Sequence, residues 1–507
     1  MKKTTILCDK DYQIAPVDSR LFGGFVEHMG RCVYGGIYEP THPTADGLGF
    51  RRDVMHLVRG MHLSLLRYPG GNFVSGYHWQ DGVGPRERRP QRLNLAWNTL
   101  ESNQVGTDEF CQWAKALDAE VMLSVNLGTG TPQEAAELVE YANHPCGTHL
   151  SDLRIQNGYP QPHGVKLWCL GNEMDGPWQI GHKKPGEYAR IAKEAARLMK
   201  LVDPTIELVA CGSTNSGMPL YPVWDAEVLT ECMDEINYLS MHTYYDNPGG
   251  TLDDLLSRSL LMEKYINEIV ATCDYSAART RSGKRIGLSY DEWGVWFSRS
   301  DTVAKPKVPT DQWGEAVPMV EGSSNLAEAV LAGTMLIRLL QHTDRIKIAC
   351  ISELVNVIAP IVTIPGGAAF ANSVYFPFAM TAALARDTIS LRTLIHSPMH
   401  STRYFDDVPM VECAAQLAQD GTLCLLLANR DLHEESLVEI DLRGFKAYSH
   451  ATHEVLSHAD PCAENSVHAQ PIHPKPGRPP LVDGARVEVV LPPCSFSSIR
   501  IFDAKTI

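Results

Sequence analysis

The sequence predicts an α/β fold in which a (β/α)8 TIM barrel is followed by an antiparallel, jelly-roll-like β-sandwich. Its 507 residues suit a large barrel with a smaller companion domain. Eight short apolar runs recur with helical segments between them, which is the pattern of βα units. After about residue 380 the pattern changes to short alternating strands separated by turns. We therefore expect residues 19–378 to form the barrel, residues 379–507 the sandwich, and residues 1–18 a strand that joins the sandwich.

The eight apolar runs have the length of barrel strands. They lie at residues 22–28, 63–68, 121–126, 166–172, 207–211, 238–244, 286–292 and 346–353. Residues 187–201 carry apolar side chains at helical spacing, which predicts one of the connecting helices. Seven of the runs end in polar residues. Because a TIM barrel places its active site at the C-terminal ends of its strands, these polar ends predict a site there.

The second domain is predicted from four alternating runs near the C-terminus. They lie at residues 410–417, 422–428, 436–442 and 486–491. Residues 459–483 are rich in proline and histidine, so we expect a long exposed loop within the sandwich.

The composition excludes several classes of protein. A net charge of -15, without a long run of lysine or arginine, argues against a nucleic-acid partner. No stretch approaches the ~18 apolar residues of a membrane span, and the first residues do not resemble a signal peptide. We therefore expect a cytoplasmic protein without a membrane partner. The 13 cysteines are scattered and include no Cys-x-x-Cys pair, which predicts reduced core residues, no metal site and no cofactor.

Two glutamates at strand ends are candidates for catalysis. Glu173 follows the run 166–172, and Glu292 closes the run 286–292. Glycoside hydrolysis requires two carboxylates across a barrel mouth, one to protonate the leaving oxygen and one to attack the anomeric carbon. A structural salt bridge would be the better explanation of either glutamate alone. Together, and flanked by aromatic residues, they favour a catalytic pair.

The neighbours of the two glutamates indicate which role each takes, because an acid must keep its proton near neutral pH while a nucleophile stays ionised. Apolar surface from Trp168 and Trp178 would favour the protonated form of the first glutamate. The Tyr244 hydroxyl and the Arg67 cation would favour the charged form of the second.

Five segments that contain these residues resemble the α-L-arabinofuranosidases of glycoside hydrolase family 51. They lie at residues 24–28, 67–73, 168–178, 242–244 and 291–293, and the similarity runs from residue 22 to about residue 377. The resemblance implies a retaining, exo-acting enzyme that releases terminal α-L-arabinofuranosyl units by double displacement, with Glu173 as acid/base and Glu292 as nucleophile. It also implies a furanoside-containing oligosaccharide as substrate, and a homo-oligomer that in this family is often a hexamer.

The resemblance further assigns residues to the sugar pocket. These are Glu27, Arg67, Asn72, Asn172 and Tyr244, with Trp97 and Trp178 similar to aromatic residues at the pocket mouth. Asn172 would bind the 2-hydroxyl of the sugar, a contact that can strengthen in the transition state. A binding-only protein would have lost one of the two glutamates, and a cofactor enzyme would need ligand clusters or a glycine-rich phosphate loop. We therefore favour a hydrolase over both.

Two positions depart from the family's pattern. Glu353 stands where family members usually carry glutamine in the sugar pocket, and this exchange removes two hydrogen-bond donors and adds a charge. The sugar could therefore be another furanoside such as β-D-galactofuranose, whose longer exocyclic arm offers an extra hydroxyl. Alternatively, Glu353 accepts a hydrogen bond from the same arabinose hydroxyl, and we expect arabinofuranose. Gly294, where the family commonly has asparagine, is expected to loosen only the rim.

Overall fold

The structure is a computed structural model that describes residues 1–296 and 307–503. Its strands, in chain order, are β1 (Lys2–Pro16), β2 (Gly23–Phe25), β3 (Leu65–Tyr68), β4 (Arg92–Asn94), β5 (Thr99–Glu101), β6 (Glu120–Val125), β7 (Leu167–Leu170), β8 (Glu207–Ala210), β9 (Tyr238–Tyr245), β10 (Gly287–Val295), β11 (Ile346–Ile351), β12 (Ile361–Thr363), β13 (Ala369–Ala371), β14 (Ile389–His396), β15 (Met399–His400), β16 (Val408–Pro409), β17 (Val411–Leu417), β18 (Leu423–Asn429), β19 (Ser436–Arg443), β20 (His450–Leu456), β21 (Lys475–Pro476), β22 (Leu481–Asp483), β23 (Arg486–Leu491) and β24 (Ser495–Phe502).

Helices connect most of the barrel strands. They are α1 (Arg52–Gly60), α2 (Thr107–Ala116), α3 (Pro132–Asn143), α4 (His149–Gln156), α5 (Pro185–Val202), α6 (Val223–Cys232), α7 (Leu252–Ser257), α8 (Ser259–Thr280), α9 (Leu326–Gln341) and α10 (Tyr375–Ala385), with 3-10 turns at Ser19–Leu21, Asn72–Gly76, Trp79–Gly82, Arg86–Arg88 and Thr310–Gln312. The predicted helix over residues 187–201 is confirmed as α5. None of the helices in the described ranges is both long enough and apolar enough to cross a membrane.

The barrel is closed and parallel, with its strands in the order β2, β3, β6, β7, β8, β9, β10 and β11. Each predicted apolar run contributes one of these strands, so the predicted TIM barrel is confirmed. Strand alternation divides the side chains between two cores. Phe25, Leu65 and Leu167 belong to a small cluster inside the barrel, whereas the larger cluster lies between the strands and the helices.

A glycine allows the first and last barrel strands to meet closely. A Cβ atom at Gly23 would lie 2.7 Å from the Cys350 sulfur and 2.8 Å from the Ala349 carbonyl oxygen. Since no side chain fits in that space, glycine permits β2 to pair with β11 and close the barrel.

The second sheet is built from ten strands in the order β21-β20-β24-β18-β17-β14-β1-β19-β23-β22. The four alternating runs predicted from the sequence correspond to β17, β18, β19 and β23, so the sheet-rich C-terminal domain is confirmed. β1 lies inside this sheet, antiparallel to β14 and parallel to β19. Residues 459–483 are mostly irregular, but Asn465 is fully buried and donates to the carbonyl oxygens of Ala371 and Ile472.

Helix α9 joins the barrel to the sheet. It packs against barrel strand β10 and against sheet strands β17 and β24. At its middle, a Cβ atom on Gly333 would lie 2.4 Å from the ring of Phe496, so the helix and the ring are in direct contact. The Arg338 side chain pairs with Glu412, which Arg430 also contacts at 3.0 Å.

Candidate active site

Arg67 lies at the centre of the polar end of the barrel. It is the third residue of β3, is 1% exposed, and its guanidinium stands 4.6 Å from the centre of the Phe25 ring. Its Nη1 donates to Glu292 Oε1 at 2.7 Å, and its Nη2 donates to Asn172 Oδ1 at 2.7 Å. One arginine thus connects the ends of three barrel strands, β3, β7 and β10.

Glu292 is buried and held on both of its oxygens. Besides Arg67, the Tyr244 hydroxyl donates to Oε2 at 2.9 Å, and His242 Nδ1 lies 3.5 Å from the same oxygen. Burial raises the pKa of the Glu292 carboxyl above its ordinary value, although the positive charges of His242 and Arg67 act to lower it. Two cations and a phenol thus surround the carboxylate and offset part of the effect of burial.

Glu173 faces Glu292 across the barrel mouth. The Trp178 indole Nε1 donates to Glu173 Oε2 at 2.8 Å, and His242 Nδ1 lies 3.0 Å from Oε1. The backbone of Glu173 has φ of +44°, a conformation that a non-glycine residue keeps only where its surroundings hold it. The expectation for Trp168 is wrong, because this side chain points to the outer core and donates to the Val165 carbonyl oxygen.

His242 was not predicted as a site residue, yet it lies between the two glutamates. Its Nε2 side faces Ser240 Oγ at 3.1 Å and Asp291 Oδ1 at 3.4 Å. Burial acts to lower the pKa of His242, but the surrounding carboxylates outweigh burial and raise the pKa to about 10. His242 is therefore an imidazolium at neutral pH. Its position at the polar end of the sixth barrel strand was the available signal.

Asn172 and Glu27 leave polar atoms facing the pocket. Asn172 Nδ2 is buried and has no hydrogen-bond partner within the described ranges, so it can donate to a ligand. Glu27 Oε1 accepts from the Phe73 backbone N–H at 2.7 Å and from the Trp97 indole at 2.9 Å. Burial raises the pKa of Glu27 to about 7. This pair offers one donor and one carboxyl group to sugar hydroxyls.

Glu353 is buried beside Glu27. Its Oε2 accepts from the Glu27 backbone N–H at 3.0 Å. Burial raises the pKa of Glu353 well above its usual range, and the charges of Glu27 and Glu292 raise it further. Burial and the two neighbouring carboxylates therefore favour the protonated form of Glu353, which offers a donor and an acceptor as an amide does. They oppose the added charge expected from the sequence, which weakens the reason to favour a different sugar.

The other departure from the family has a local steric reason. A Cβ atom at Gly294 would lie 2.8 Å from the Ser352 carbonyl oxygen, so a larger residue requires the backbone to shift. Asn72, the remaining predicted pocket residue, begins the 3-10 turn Asn72–Gly76 and directly precedes Phe73, which binds Glu27. Direct contacts thus connect nine of the ten predicted residues in three groups, and Asn72 lies next in sequence to Phe73. The groups are Glu173 with Trp178, Glu292 with Arg67, Asn172 and Tyr244, and Glu27 with Trp97 and Glu353.

Glu173, His242 and Glu292 form the one cluster of possible metal ligands among the described residues. Ligand atoms of Glu173, His242 and Glu292 all lie within 4.8 Å of one another. The three side chains also contact one another, with His242 Nδ1 3.0 Å from Glu173 Oε1 and 3.5 Å from Glu292 Oε2.

A TIM barrel with two buried carboxylates at the ends of its fourth and seventh strands defines the class of glycoside hydrolases. Two family descriptions match the sequence, the α-L-arabinofuranosidase 1 domain over residues 57–259 and the α-L-arabinofuranosidase C-terminal domain over residues 291–495. An intracellular exo-α-(1→5)-L-arabinofuranosidase 1 from Bacillus subtilis is 47% identical over 99% of both chains. An exo-α-(1→6)-L-arabinofuranosidase from Bifidobacterium longum is 41% identical, covering 99% of this chain and 98% of its own.

Solved structures agree with these relatives. A family 51 α-L-arabinofuranosidase from Bifidobacterium longum superposes with a TM-score of 0.93 at 40% identity, covering 99% of this chain and 100% of its own. An arabinose complex of the Thermotoga maritima α-L-arabinofuranosidase gives a TM-score of 0.87 at 31% identity, with 98% and 99% covered. The chain belongs to the α-L-arabinofuranosidases of glycoside hydrolase family 51. It is a glycoside hydrolase, and the comparisons favour arabinofuranose over galactofuranose as the sugar.

Proposed function

We propose that this protein removes single α-L-arabinofuranosyl units from the non-reducing ends of short oligosaccharides by double displacement, with Glu292 as nucleophile and Glu173 as acid/base. The observation that carries the proposal is the short gap between the two carboxyl groups, whose facing atoms lie within 4.8 Å of each other. Retaining glycosidases separate these groups by about 5–5.5 Å, and inverting ones by about 6.5–9.5 Å to admit a water. The gap favours a mechanism through a covalent intermediate.

In the first step, a Glu292 oxygen attacks the anomeric carbon and forms an ester with the sugar. The glycosidic C–O bond breaks, and Glu173 gives its proton to the departing oxygen. Negative charge leaves Glu292 during this step. Its partners Arg67 and Tyr244 orient the carboxylate for attack and hold it in place once the ester has formed.

In the second step, the Glu173 carboxylate takes a proton from a water, and that water attacks the anomeric carbon from the face the leaving group vacated. The ester bond breaks, Glu292 regains its charge, and the sugar leaves with its original configuration. The free Asn172 Nδ2 is the group that we assign to the 2-hydroxyl. Its Oδ1 is fixed by Arg67, so the amide presents its donor to the sugar.

His242 positions both glutamates. Its Nδ1 lies 3.0 Å from Glu173 and 3.5 Å from Glu292, and Asp291 and Ser240 hold its other nitrogen. The imidazolium offsets the charge of Glu292 before attack. It also fixes the side chain of Glu173 beside the leaving oxygen.

We extend the proposal to the setting of the enzyme. Several relatives are named intracellular, which supports a cytoplasmic enzyme that meets imported oligosaccharides rather than intact polymer. We propose the same division of the chain as the sequence did, with residues 1–18 and 379–507 in the sandwich and residues 19–378 in the barrel. A homo-hexamer is proposed from the family resemblance, and light scattering of the purified protein would test it by its mass.

Proton NMR of a fresh reaction tests the proposed mechanism. With p-nitrophenyl α-L-arabinofuranoside, the first arabinose signal is expected from the α anomer, before mutarotation produces the β anomer. A β anomer formed first would replace the double displacement with a single one. A parallel assay on p-nitrophenyl β-D-galactofuranoside should give a far lower kcat/KM, with the Glu292→Ala variant as blank for both substrates.

A further inference from the structure

A cavity of about 280 Å³ lies beside the sugar pocket, under the loop between β3 and α2. Phe73 and Tyr77 line its inner part with two aromatic rings whose centres are 4.7 Å apart. Leu95 of the β4–β5 hairpin and Ile180, which follows β7, line its sides. The cavity is therefore walled by the loops after the second and fourth barrel strands, at the same end as Glu173.

The cavity combines apolar surface with polar groups, as sugar sites do. Leu93 and Leu95 on the hairpin are 49% and 60% exposed, so two nearby leucines present apolar surface to solvent. Asp81 and Arg92 add an ion pair at the rim, with Arg92 Nε 2.9 Å from Asp81 Oδ2. Aliphatic and aromatic faces with a few planar polar groups are suited to stacking and hydrogen bonding a saccharide ring.

Two residues of the cavity wall, Tyr77 and Asn103, carry a buried polar atom that has no hydrogen-bond partner among the described residues. Asn103 is 1% exposed, and its Nδ2 donates to the Pro90 carbonyl oxygen at 2.7 Å. Its Oδ1 is buried without a hydrogen bond to any described residue. Leaving a buried carbonyl oxygen unpaired is unfavourable, so a hydroxyl group that reaches this atom from the cavity would supply a hydrogen bond that the protein does not.

Two residues of the cavity wall connect it to the active site. Ile180 is two residues beyond Trp178, whose indole binds Glu173. On the other side, Phe73 belongs to the cavity while its backbone N–H binds Glu27 in the sugar pocket. Since Glu173 is the proposed proton donor to the leaving oxygen, the part of the substrate beyond that oxygen passes Trp178 and reaches this cavity.

We propose that the cavity binds a saccharide unit of the leaving group, stacked against Leu93 and Leu95, with one hydroxyl donating to Asn103 Oδ1. This inference rests on the proposed function of Glu173. It makes arabino-oligosaccharides, rather than aryl glycosides or single sugars, the ligands that use the whole site. Binding there should act mainly on KM for oligosaccharides, because the contacts are remote from the reacting atoms.

The test compares two substrates, p-nitrophenyl α-L-arabinofuranoside and α-(1→5)-linked arabinotetraose. In the double variant Leu93→Ala/Leu95→Ala, kcat/KM for the tetraose should fall about tenfold relative to the aryl substrate, through KM. Leu394→Ala, an equally exposed leucine on β14 in the second sheet, is the control and should leave the ratio of the two substrates as it is.

A second pair of variants isolates the hydrogen bond. Asn103→Gly and Asn103→Asp both lose the donor to Pro90 and both tolerate the φ of +57° at this position, but only the aspartate keeps an acceptor. The ratio of kcat/KM for the tetraose to kcat/KM for the aryl substrate should fall in Asn103→Gly and be largely restored in Asn103→Asp. Equal ratios in all variants would overturn the inference while leaving the proposed function intact. Absence of activity on the aryl substrate in the unmodified enzyme would instead overturn the proposed function.

Discussion

Two arginines, one at each end of the barrel, hold two carboxylates each, and they differ in what remains unpaired. At the N-terminal end, Arg20 binds both oxygens of Glu120 at 2.6 and 2.7 Å and both oxygens of Glu207 at 3.0 Å. At the C-terminal end, Arg67 binds Glu292 through one nitrogen, while its Nε lies 3.4 Å from Asp291 Oδ2 and makes no hydrogen bond within the described ranges.

This difference separates a structural ion cluster from an active site. The Arg20 cluster is saturated, and its side chains are partly exposed, so water shares the charges and the pairing has little left to offer a ligand. The Arg67 cluster is fully buried and leaves the Asn172 donor free. A cluster of charged residues does not by itself identify an active site. A buried donor or acceptor that has no protein partner is the more informative feature, because it can bind a ligand.

Matched glutamine substitutions at the two ends of the barrel should give the largest difference in kcat. Glu292→Gln removes the proposed nucleophile and should lower kcat on p-nitrophenyl α-L-arabinofuranoside by at least about 10⁴-fold. Glu207→Gln makes the same chemical change in the Arg20 cluster and should leave kcat within about twofold, because water is near. Steady-state kinetics of both purified variants is the measurement. Comparable losses at both ends would remove the distinction between the two clusters.

A histidine pair sharpens the same comparison with a smaller effect. His242→Gln removes the cation between the two glutamates and should lower kcat/KM about 100-fold. His163 is also buried against a carboxylate, with Nε2 2.7 Å from Asp108 Oδ1, but it lies away from the barrel mouth. His163→Gln should therefore alter thermal stability and not kcat/KM. A loss of kcat/KM in His163→Gln as large as in His242→Gln would contradict the positioning role of His242.

The carboxyl pair of Glu27 and Glu353 should appear in the pH profile of kcat/KM. Burial raises the pKa of Glu27 to about 7 and that of Glu353 well above its usual range, so the pair loses its protons at higher pH than two exposed carboxyl groups would. Deprotonation of Glu353 adds a negative charge close to Glu292, the phenol of Tyr244 and the Cys32 thiol. This charge should lower kcat/KM at alkaline pH.

Glu353→Gln removes that ionisation. The alkaline limb of kcat/KM should move to higher pH, while the acid limb, which depends on Glu292, stays in place. Profiles recorded from pH 4 to 10 with the aryl substrate are the measurement. An unchanged alkaline limb would exclude Glu353 as the titrating group.

The smallest expected effect lies at the N-terminal end of the barrel. Arg20→Gln leaves Glu120 and Glu207 facing each other without a cation, and their partial exposure limits the cost. The melting temperature should fall by about 2–4 °C with kcat/KM unchanged, as followed by circular dichroism and by the aryl assay. A fall in kcat/KM at constant melting temperature would mean that this cluster also shapes the site.

The sequence predicted the barrel strands and both glutamates because apolar runs and polar strand ends are local signals. It was less informative about the side chains that flank the first glutamate. Alternation along β7 directs Trp168 to the outer core, whereas Trp178 lies beyond an irregular turn and reaches Glu173. His242 was visible at a strand end, but its charge depends on three carboxylates brought from other strands. The raised pKa of Glu353 likewise arises from burial beside Glu27 and Glu292, which are distant in the sequence.

Azide rescue of two alanine variants tests the central claim about the glutamates most directly. With p-nitrophenyl α-L-arabinofuranoside, Glu173→Ala should still form the ester with Glu292, and azide should then give α-L-arabinofuranosyl azide with retained configuration. Glu292→Ala should give the β azide, of inverted configuration, or no azide product. The α azide from Glu292→Ala together with the β azide from Glu173→Ala would contradict the assignment and exchange the two roles.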